Sequence, residues 1–249
     1  MMKPTILSKL DEQSSNYAFY FAQAGSKPVF QSNNDRFSSA SIIKVPILLA
    51  WVYLERTGEV NRSELCDLDS EPQVQGAGFS WLLRERRLPY QDVMLMMIAL
   101  SDNLCTNLVI QRAGLERLNE VIQDQLQLRG TSLQRKLMDY EARARGLDNW
   151  ISAQDCIRFY QIIQDLAPEE RAWVESMLAV NQDDLLLMRN IPRDTLTFYH
   201  KTGSIPGVLH DWGYTNQCQI FLLTQKLTDE VAAFEVFGKL GQRMLAQPE

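Results

Sequence analysis

The sequence has few of the residues that build metal sites and disulfide frameworks. Its 249 residues include only two histidines and four cysteines, and no two cysteines form a Cys-x-x-Cys pair. Structural zinc sites and disulfide-rich mini-proteins depend on such clusters. We therefore expect no metal site and four separate, reduced thiols with buried side chains, namely Cys66, Cys105, Cys156 and Cys218.

Excess basic charge and long apolar segments are also missing. The chain carries 25 basic and 31 acidic residues, a formal net charge of −6, whereas a nucleic-acid binder needs a basic face. The longest apolar run, 45–54, is half of the ~20 residues that a membrane span requires, and it includes Pro46. We therefore expect no nucleic-acid partner and no membrane span.

The first residues do not have the pattern of a secretory signal. Lys3 is followed by no long apolar region before Asp11 and Glu12, and a signal peptide needs an apolar region of about 7–15 residues. The sequence as written therefore predicts a cytoplasmic protein, or a periplasmic or secreted one if a leader has been removed.

Strand patterns occur at both ends of the sequence, and helical patterns lie between them. Strands are predicted at 16–22, 28–31, 196–201, 211–214 and 219–225. Helices are predicted at 90–100, 103–113, 115–126, 152–166 and 228–245, and the aperiodic stretch 136–149 predicts a loop. This order indicates an α+β protein with two lobes.

We expect a single domain over 1–249, because no linker separates independent units. The sheet lobe comprises about 1–58 and 190–249, and the helical lobe about 59–189. The junction of the two lobes is the natural place for a cleft.

One lysine stands alone in an otherwise apolar helix. Ser41 opens this helix, which ends near 56–58, and Lys44 is the one charged residue among its apolar faces. A buried lysine tends to lose its proton, and the spacing of three places the amine beside the Ser41 hydroxyl. The pair is either a nucleophile with a neutral amine as its base, or a helix cap followed by a lysine that extends to solvent.

Two tripeptides accompany this pair. Ser-Asp-Asn at 101–103 lies between two predicted helices, where helix capping is the alternative interpretation. Lys-Thr-Gly at 201–203 ends the first strand of the closing meander, where an exposed strand end is the alternative. With Ser-x-x-Lys at 41–44, the three motifs in this order resemble class A β-lactamases and the related penicillin-binding DD-peptidases. The order of strands and helices matches that family over nearly the whole chain.

The resemblance implies a β-lactamase/transpeptidase-like fold, in which N- and C-terminal helices flank an antiparallel sheet beside an all-helical lobe. It also implies the residues that form and break bonds. Ser41 attacks a carbonyl carbon and becomes acylated, Lys44 accepts or relays its proton, and Ser101 protonates the leaving nitrogen. The backbone N–H groups of Ser41 and Ser204 form the oxyanion hole.

The other residues that the resemblance implies bind the substrate. Asn103 holds the side-chain amide of the substrate and the Lys44 amine. Lys201 lowers the pKa of Lys44 and attracts a substrate carboxylate, to which Thr202 donates a hydrogen bond. Gly203 permits a ligand to approach the strand closely.

Hydrolysis of the acyl-enzyme requires another residue. In class A β-lactamases a glutamate in a Glu-x-x-Leu-Asn pattern activates the water. Glu141 follows an aromatic residue as that glutamate does, although Ala144 and Arg145 stand where Leu and Asn belong. We expect Glu141 to be this catalytic residue, with Asp139 as a rival and an exposed, arginine-paired Glu141 as the alternative.

The second departure from the family concerns a carboxylate-binding arginine on the strand after Lys-Thr-Gly. No arginine occurs between Arg193 and Arg243, and His210 lies close to the expected position. Either His210 binds the substrate carboxylate when protonated, or it is a strand residue that pairs with Asp211.

Together these features predict a serine hydrolase that opens β-lactam amide bonds through an acyl-Ser41 intermediate. It needs no metal or organic cofactor, acts on a small β-lactam or a related amide or ester, and is expected to be a monomer. The alternatives are a DD-peptidase-like or esterase-like hydrolase with weak or no β-lactam turnover, and a non-catalytic binder that keeps the same cleft.

Overall fold

The structure is a computed structural model, and it describes residues 5–245. Its strands are β1 (Asn16–Gln23), β2 (Val29–Ser32), β3 (Arg36–Ser38), β4 (Leu65–Asp67), β5 (Arg87–Pro89), β6 (Trp150–Ser152), β7 (Tyr199–Ile205), β8 (Val208–Tyr214) and β9 (Cys218–Gln225). Its α-helices are α1 (Ser8–Glu12), α2 (Lys44–Arg56), α3 (Tyr90–Ala99), α4 (Asn103–Ala113), α5 (Leu115–Glu120), α6 (Tyr140–Ala144), α7 (Ala153–Gln164), α8 (Pro168–Leu178) and α9 (Glu230–Gly241). Short 3₁₀ or π turns are found at 5–7, 40–43, 80–82, 121–125 and 242–245.

The main sheet has five antiparallel strands in the order β2-β1-β9-β8-β7. Apolar side chains cover both of its faces, because successive residues of a strand point to opposite sides. In β1, Tyr17 and Phe19 pack with α1 and α9, whereas Ala18 and Tyr20 pack with the helices of the other half of the molecule. The terminal helices and the helical lobe therefore cover opposite faces of the sheet.

Helix α2 lies in the centre of the molecule. Ten of its residues are buried, and it packs against α3, α4, α5 and α7. Burial on all sides confirms the interpretation of its apolar pattern. The α-helix begins at Lys44, however, and Ser41 lies in the 3₁₀ turn Ala40–Ile43 before it rather than at its first position.

Other differences concern short elements. Strand β7 runs from Tyr199 to Ile205, so the Lys-Thr-Gly motif lies inside the strand and not at its end, because pairing with β8 continues to Val208. The expected loop 136–149 includes the five-residue helix α6, which is too short to show a helical period. The two-stranded sheets β3–β6 and β4–β5 were not predicted, because strands of three residues are too short to show an alternation of apolar and polar side chains.

All four cysteines are free and buried, as expected. Within residues 5–245, no helix has both the length and the apolar character that crossing a bilayer requires. The boundaries between the two lobes stay a prediction.

Candidate active site

Two of the three sequence motifs, Ser-x-x-Lys and Ser-Asp-Asn, meet at one buried amine. Lys44 Nζ lies 3.1 Å from Ser41 Oγ, 2.9 Å from Ser101 Oγ and 3.0 Å from Asn103 Oδ1. It also donates to the Ser101 carbonyl oxygen at 2.6 Å. Lys44 is fully buried, which excludes a side chain extended to solvent.

The surroundings of Lys44 favour its neutral form. Burial lowers the pKa of Lys44 well below its usual 10.5, and the positive charge of Lys201 lowers it further. Asp102 and Cys105 act in the opposite direction, with smaller effects. The expectation that Lys201 depresses this pKa therefore has a direct electrostatic basis.

The hydrogen-bond partners of a neutral Lys44 leave its lone pair for a hydroxyl group. An uncharged amine has two N–H donors, and the Ser101 carbonyl oxygen and Asn103 Oδ1 can only accept. The Asn103 amide has a defined orientation, because its Nδ2 donates to the Gln75 carbonyl oxygen at 3.0 Å. With both donors used, the lone pair is left for the hydroxyl hydrogen of Ser41 or Ser101. This is the arrangement that a base needs.

The turn that carries Ser41 is held against strand β7. Ala40, just before Ser41, has a φ of +43°, in the left-handed region. A Cβ atom on Gly203 would lie 2.9 Å from the Ser41 nitrogen and 3.1 Å from the Ile42 nitrogen. Gly203 therefore admits the backbone of the Ser41 turn, whereas we had expected it to make room for a ligand. Ser204, the next residue of β7, is exposed and lies beside Ser41 in the cleft.

Ser101 and Asp102 have different tasks in the structure. The Asp102 carboxylate caps helix α4 by accepting from the Cys105 N–H at 2.9 Å. It also accepts from the Ser80 N–H at 2.8 Å and the Ser80 hydroxyl at 2.7 Å. Ser101 adopts a left-handed φ of +56°, and its hydroxyl is directed to Lys44 instead of capping the helix.

Lys201 is a second buried lysine near Lys44. It is fully buried inside β7, so the interpretation as an exposed strand end is wrong. Its Nζ donates to the Thr202 carbonyl oxygen at 2.8 Å. Burial lowers the pKa of Lys201 from 10.5 to about 8, although Asp183 and Asp211 counteract this.

Two adjoining cavities meet at Ser41. We call them the Leu137 cavity and the Thr202 cavity, and Ser41, Ser204 and the 76–77 segment line both. The Thr202 cavity, of about 390 Å³, is also lined by Ser101 and Thr202. The Leu137 cavity measures about 250 Å³, and its other lining residues are Ala40, Asn103, Arg135, Leu137, Met138, Tyr140, Arg143, Ile205 and Pro206.

The structure does not bring Glu141 to this site. Glu141 is exposed on α6, and it does not line either cavity. Asp139 is equally unavailable, because its carboxylate caps α6 by accepting from the Ala142 N–H at 2.8 Å. The residues of this loop that line the cavity with Ser41 are Leu137, Met138, Tyr140 and Arg143, none of which is a carboxylate, and Leu137 is buried.

Asn107 holds Leu137 in place. The Asn107 side chain accepts from the Leu137 N–H at 2.8 Å and donates to the Leu137 carbonyl oxygen at 3.1 Å. Sequence reasoning missed Leu137, Asn107 and the cavity-lining Arg143. A leucine in an aperiodic loop carries no local signal, and the two members of the Asn107 pair are 30 residues apart.

The expectation that His210 binds a substrate carboxylate is wrong for this structure. His210 is fully buried, and burial lowers its pKa to about 4. Its Nε2 donates to the Ser38 carbonyl oxygen at 2.8 Å, and its Nδ1 accepts from the Thr224 N–H at 3.1 Å. Asp211 does not pair with His210, because neighbouring strand residues point to opposite faces. It lies 3.0 Å from His200 Nδ1.

Among residues 5–245, no cluster of three or more histidine, cysteine, aspartate or glutamate side chains has a geometry suited to a metal ion. The donors gathered around Ser41 are amines, hydroxyls and amides. This set suits proton transfer and acyl transfer at a serine.

Comparisons with known proteins agree with this geometry. A family model described as the beta-lactamase enzyme family matches residues 4–247. A β-lactamase from Sphaerobacter thermophilus has 24% identity and a TM-score of 0.82, with 98% of this chain and 97% of that chain covered. A comparison with curated proteins gave no match.

Two further solved structures have the same architecture. A PBP-A variant in an acyl-enzyme complex with penicillin G has 22% identity and a TM-score of 0.80, with 98% of this chain and 96% of that chain covered. A β-lactamase from Chitinophaga pinensis has 15% identity and a TM-score of 0.83, with 96% of each chain covered. These likenesses confirm the expected fold.

Proposed function

This chain belongs to the beta-lactamase enzyme family, and from that premise we propose that it is a serine hydrolase that opens β-lactam amide bonds by acylation of Ser41. The resemblance that the three motifs indicated is thereby confirmed at the level of the family. One observation carries the proposal: a fully buried lysine amine lies within 3.1 Å of two serine hydroxyls.

The first step is attack on the lactam carbonyl. Lys44, neutral at the start, takes the Ser41 proton while Ser41 Oγ forms a bond to the carbonyl carbon. The carbonyl oxygen becomes an oxyanion, and the N–H groups of Ser41 and Ser204 stabilise it. The close approach of β7 to the Ser41 turn at Gly203 supports this pair of donors.

The second step breaks the carbon–nitrogen bond. The Ser101 hydroxyl gives its proton to the leaving nitrogen and regains one from the protonated Lys44, so the amine is neutral again. The contacts of Lys44 Nζ with both serine oxygens provide this route. The leaving group carries a carboxylate, which the positive charge of Lys201 attracts and the Thr202 hydroxyl binds.

Hydrolysis of the acyl-enzyme is the slow step of the proposed reaction. Water must add to the ester carbon, lose a proton and release Ser41, and a carboxylate base is the usual means. Neither cavity beside Ser41 has Glu141 or Asp139 in its lining, and the members of that loop that do line a cavity, among them Leu137, are not carboxylates. The same observation favours a second candidate, a DD-peptidase-like or esterase-like hydrolase that acylates well and releases its product slowly.

The test is direct labelling. The protein is incubated with benzylpenicillin and with nitrocefin, and intact mass and peptide mapping are followed over time. We expect an adduct of the whole lactam on Ser41, none in Ser41→Ala, and an unchanged adduct in the exposed control Ser63→Ala. Absence of both an adduct and turnover would reject the proposal. An adduct that forms quickly with no detectable turnover would favour the second candidate.

A further inference from the structure

The Leu137 cavity contains positive charge that the reaction above does not use. Arg135 and Arg143 both line it, and none of its lining residues in the described part of the chain is acidic. The rest of the lining is largely apolar and includes Leu137, Met138 and Ile205. Two arginines in such a wall need a partner of opposite charge.

One of the two arginines already has its partner. Arg135 donates to Asp148 Oδ1 from Nε at 3.1 Å and from Nη2 at 2.7 Å, and from Nη1 to the Lys136 carbonyl oxygen at 3.2 Å. The other oxygen of Asp148 accepts from the Ser38 hydroxyl at 2.6 Å. Asp148 Oδ1 also accepts from the Asn149 N–H at 2.9 Å, so the close ion pair of this carboxylate is the one with Arg135.

Arg143, in contrast, has only a long ion pair with Asp148 among the described residues. Its Nε lies 3.8 Å from Asp148 Oδ2, beyond hydrogen-bond distance, and its side chain is 39% exposed. No acceptor within residues 5–245 makes a hydrogen bond to its guanidinium. Asp139 caps α6, and Glu141 is exposed and does not line the cavity. Lys136, which is next to Arg135, is paired with Glu71.

The positions of the catalytic groups decide which part of a substrate meets Arg143. Ser101, which protonates the leaving nitrogen, lines the Thr202 cavity and not the Leu137 cavity. The leaving group therefore occupies the Thr202 cavity. The carbonyl carbon at Ser41 joins the two cavities, so the acyl side chain must enter the Leu137 cavity.

We propose that Arg143 binds a carboxylate on the acyl side chain of the substrate, and that this enzyme prefers acyl donors whose side chain carries a negative charge. The inference rests on the proposed function, since it assigns one end of the same cleft. The apolar wall of Leu137, Met138 and Tyr140 receives the body of the side chain, and the half-exposed guanidinium receives its charged group. This carboxylate is distinct from the one at Lys201.

A matched pair of penicillins tests the proposal. Carbenicillin is benzylpenicillin with one additional carboxylate on its acyl side chain, and the two have the same leaving-group carboxylate, whose contribution cancels in their ratio. The second-order rate of Ser41 acylation is measured by intact mass for both compounds. The variants are Arg143→Gln, Arg143→Lys and Arg145→Gln, the last being an exposed control with the same charge change on the same segment.

We expect the unmodified protein to acylate faster with carbenicillin, and the carbenicillin-to-benzylpenicillin ratio to fall about tenfold in Arg143→Gln, as loss of one charge-assisted hydrogen bond implies. Arg143→Lys should keep part of the preference, and Arg145→Gln should keep all of it. Equal ratios in the unmodified protein and Arg143→Gln would overturn this inference while leaving the proposed function intact. Failure of both penicillins to modify Ser41 would overturn the proposed function, and this inference with it.

Discussion

The two sides of the cleft differ in the catalytic groups that they carry. We call the side with Lys44 the first wall and the side with Leu137 the second wall. On one side, Lys44 contacts Ser41, Ser101 and Asn103 within 3.1 Å, and Lys201 adds a second buried lysine. On the other side, the loop residues that line the Leu137 cavity are Leu137, Met138, Tyr140 and Arg143, and none of them is a carboxylate. Acylation needs the groups of the first wall, and deacylation needs a base on the second. The difference indicates an enzyme that is better prepared to form the acyl-enzyme than to hydrolyse it.

Removing the base from the first wall should have the largest effect. We expect Lys44→Met to slow acylation by about 10²–10⁴-fold, the usual contribution of a positioned base. The fold should persist, because methionine is similar in size and the change removes a buried polar amine whose desolvation is costly. The measurement is the rate of adduct formation with benzylpenicillin, together with the melting temperature.

The exposed variant Lys239→Met is the control for this change, since Lys239 lies on α9 away from the cleft. Acylation of the Lys44 variant at nearly the rate of the unmodified protein would show that another group takes the Ser41 proton.

Adding a carboxylate to the second wall should have the next largest effect on the reaction. Leu137→Glu places a carboxyl group in the cavity beside Ser41, where burial raises its pKa and makes it a stronger base. We expect the acyl-enzyme to hydrolyse about 10²-fold faster, at the low end for general-base catalysis. The lifetime of the benzylpenicillin adduct measures this, with Leu137→Gln as the control that lacks a base. Equal lifetimes in the two variants would contradict our account of the second wall.

The pH dependence separates the two lysines of the first wall. Lys44 acts as a neutral base, so the acylation efficiency should rise as pH increases through its lowered pKa. Lys201 attracts the substrate carboxylate only while protonated, so the efficiency should fall by several-fold as pH rises through about 8. In Lys201→Arg the alkaline limb should move upward by more than one pH unit, because arginine keeps its proton. If the efficiency of this variant still falls near pH 8, the titration of another group causes the alkaline limb.

Glu141→Gln should have the smallest effect. Glu141 is exposed and outside both cavities, so we expect the acyl-enzyme lifetime to change by less than about twofold, as for a screened surface charge. The adduct lifetime at neutral pH measures this. A trapped acyl-enzyme in this variant would mean that α6 moves to bring Glu141 into the cleft.

Much of the first wall was predictable, because its residues lie in short sequence motifs. A lysine at a spacing of three from a serine, in a helix that is apolar on every face, indicates a buried amine beside a hydroxyl. Ser-Asp-Asn and Lys-Thr-Gly are short contiguous motifs with a known relation to that pair. Most strands of the sheet, and helices α3, α4, α7 and α9, followed from period-two and period-3.6 patterns in the chain. The full fold, with terminal helices that flank the sheet, was implied by the family resemblance.

The second wall was not predictable in the same way. Glu141 was the expected carboxylate and Asp139 its rival. The positions of both depend on a five-residue helix that is too short to show a helical period. The place of Leu137 depends on Asn107, which is distant in sequence. The same holds for His210 and Asp211, because the strand pairing decides which neighbours each one meets. Asp211 contacts His200, and His210 is buried against the Ser38 carbonyl oxygen of β3.

The sequence by itself determined the chemistry of the nucleophile, because apolar neighbours and spacing along one helix are properties of consecutive residues. Only the tertiary structure decided what lies opposite Ser41. That wall is held by Asn107, which contacts the Leu137 backbone from 30 residues away, and by the hydrogen bond from Ser38 to Asp148. Such contacts between distant segments exist only in the folded chain.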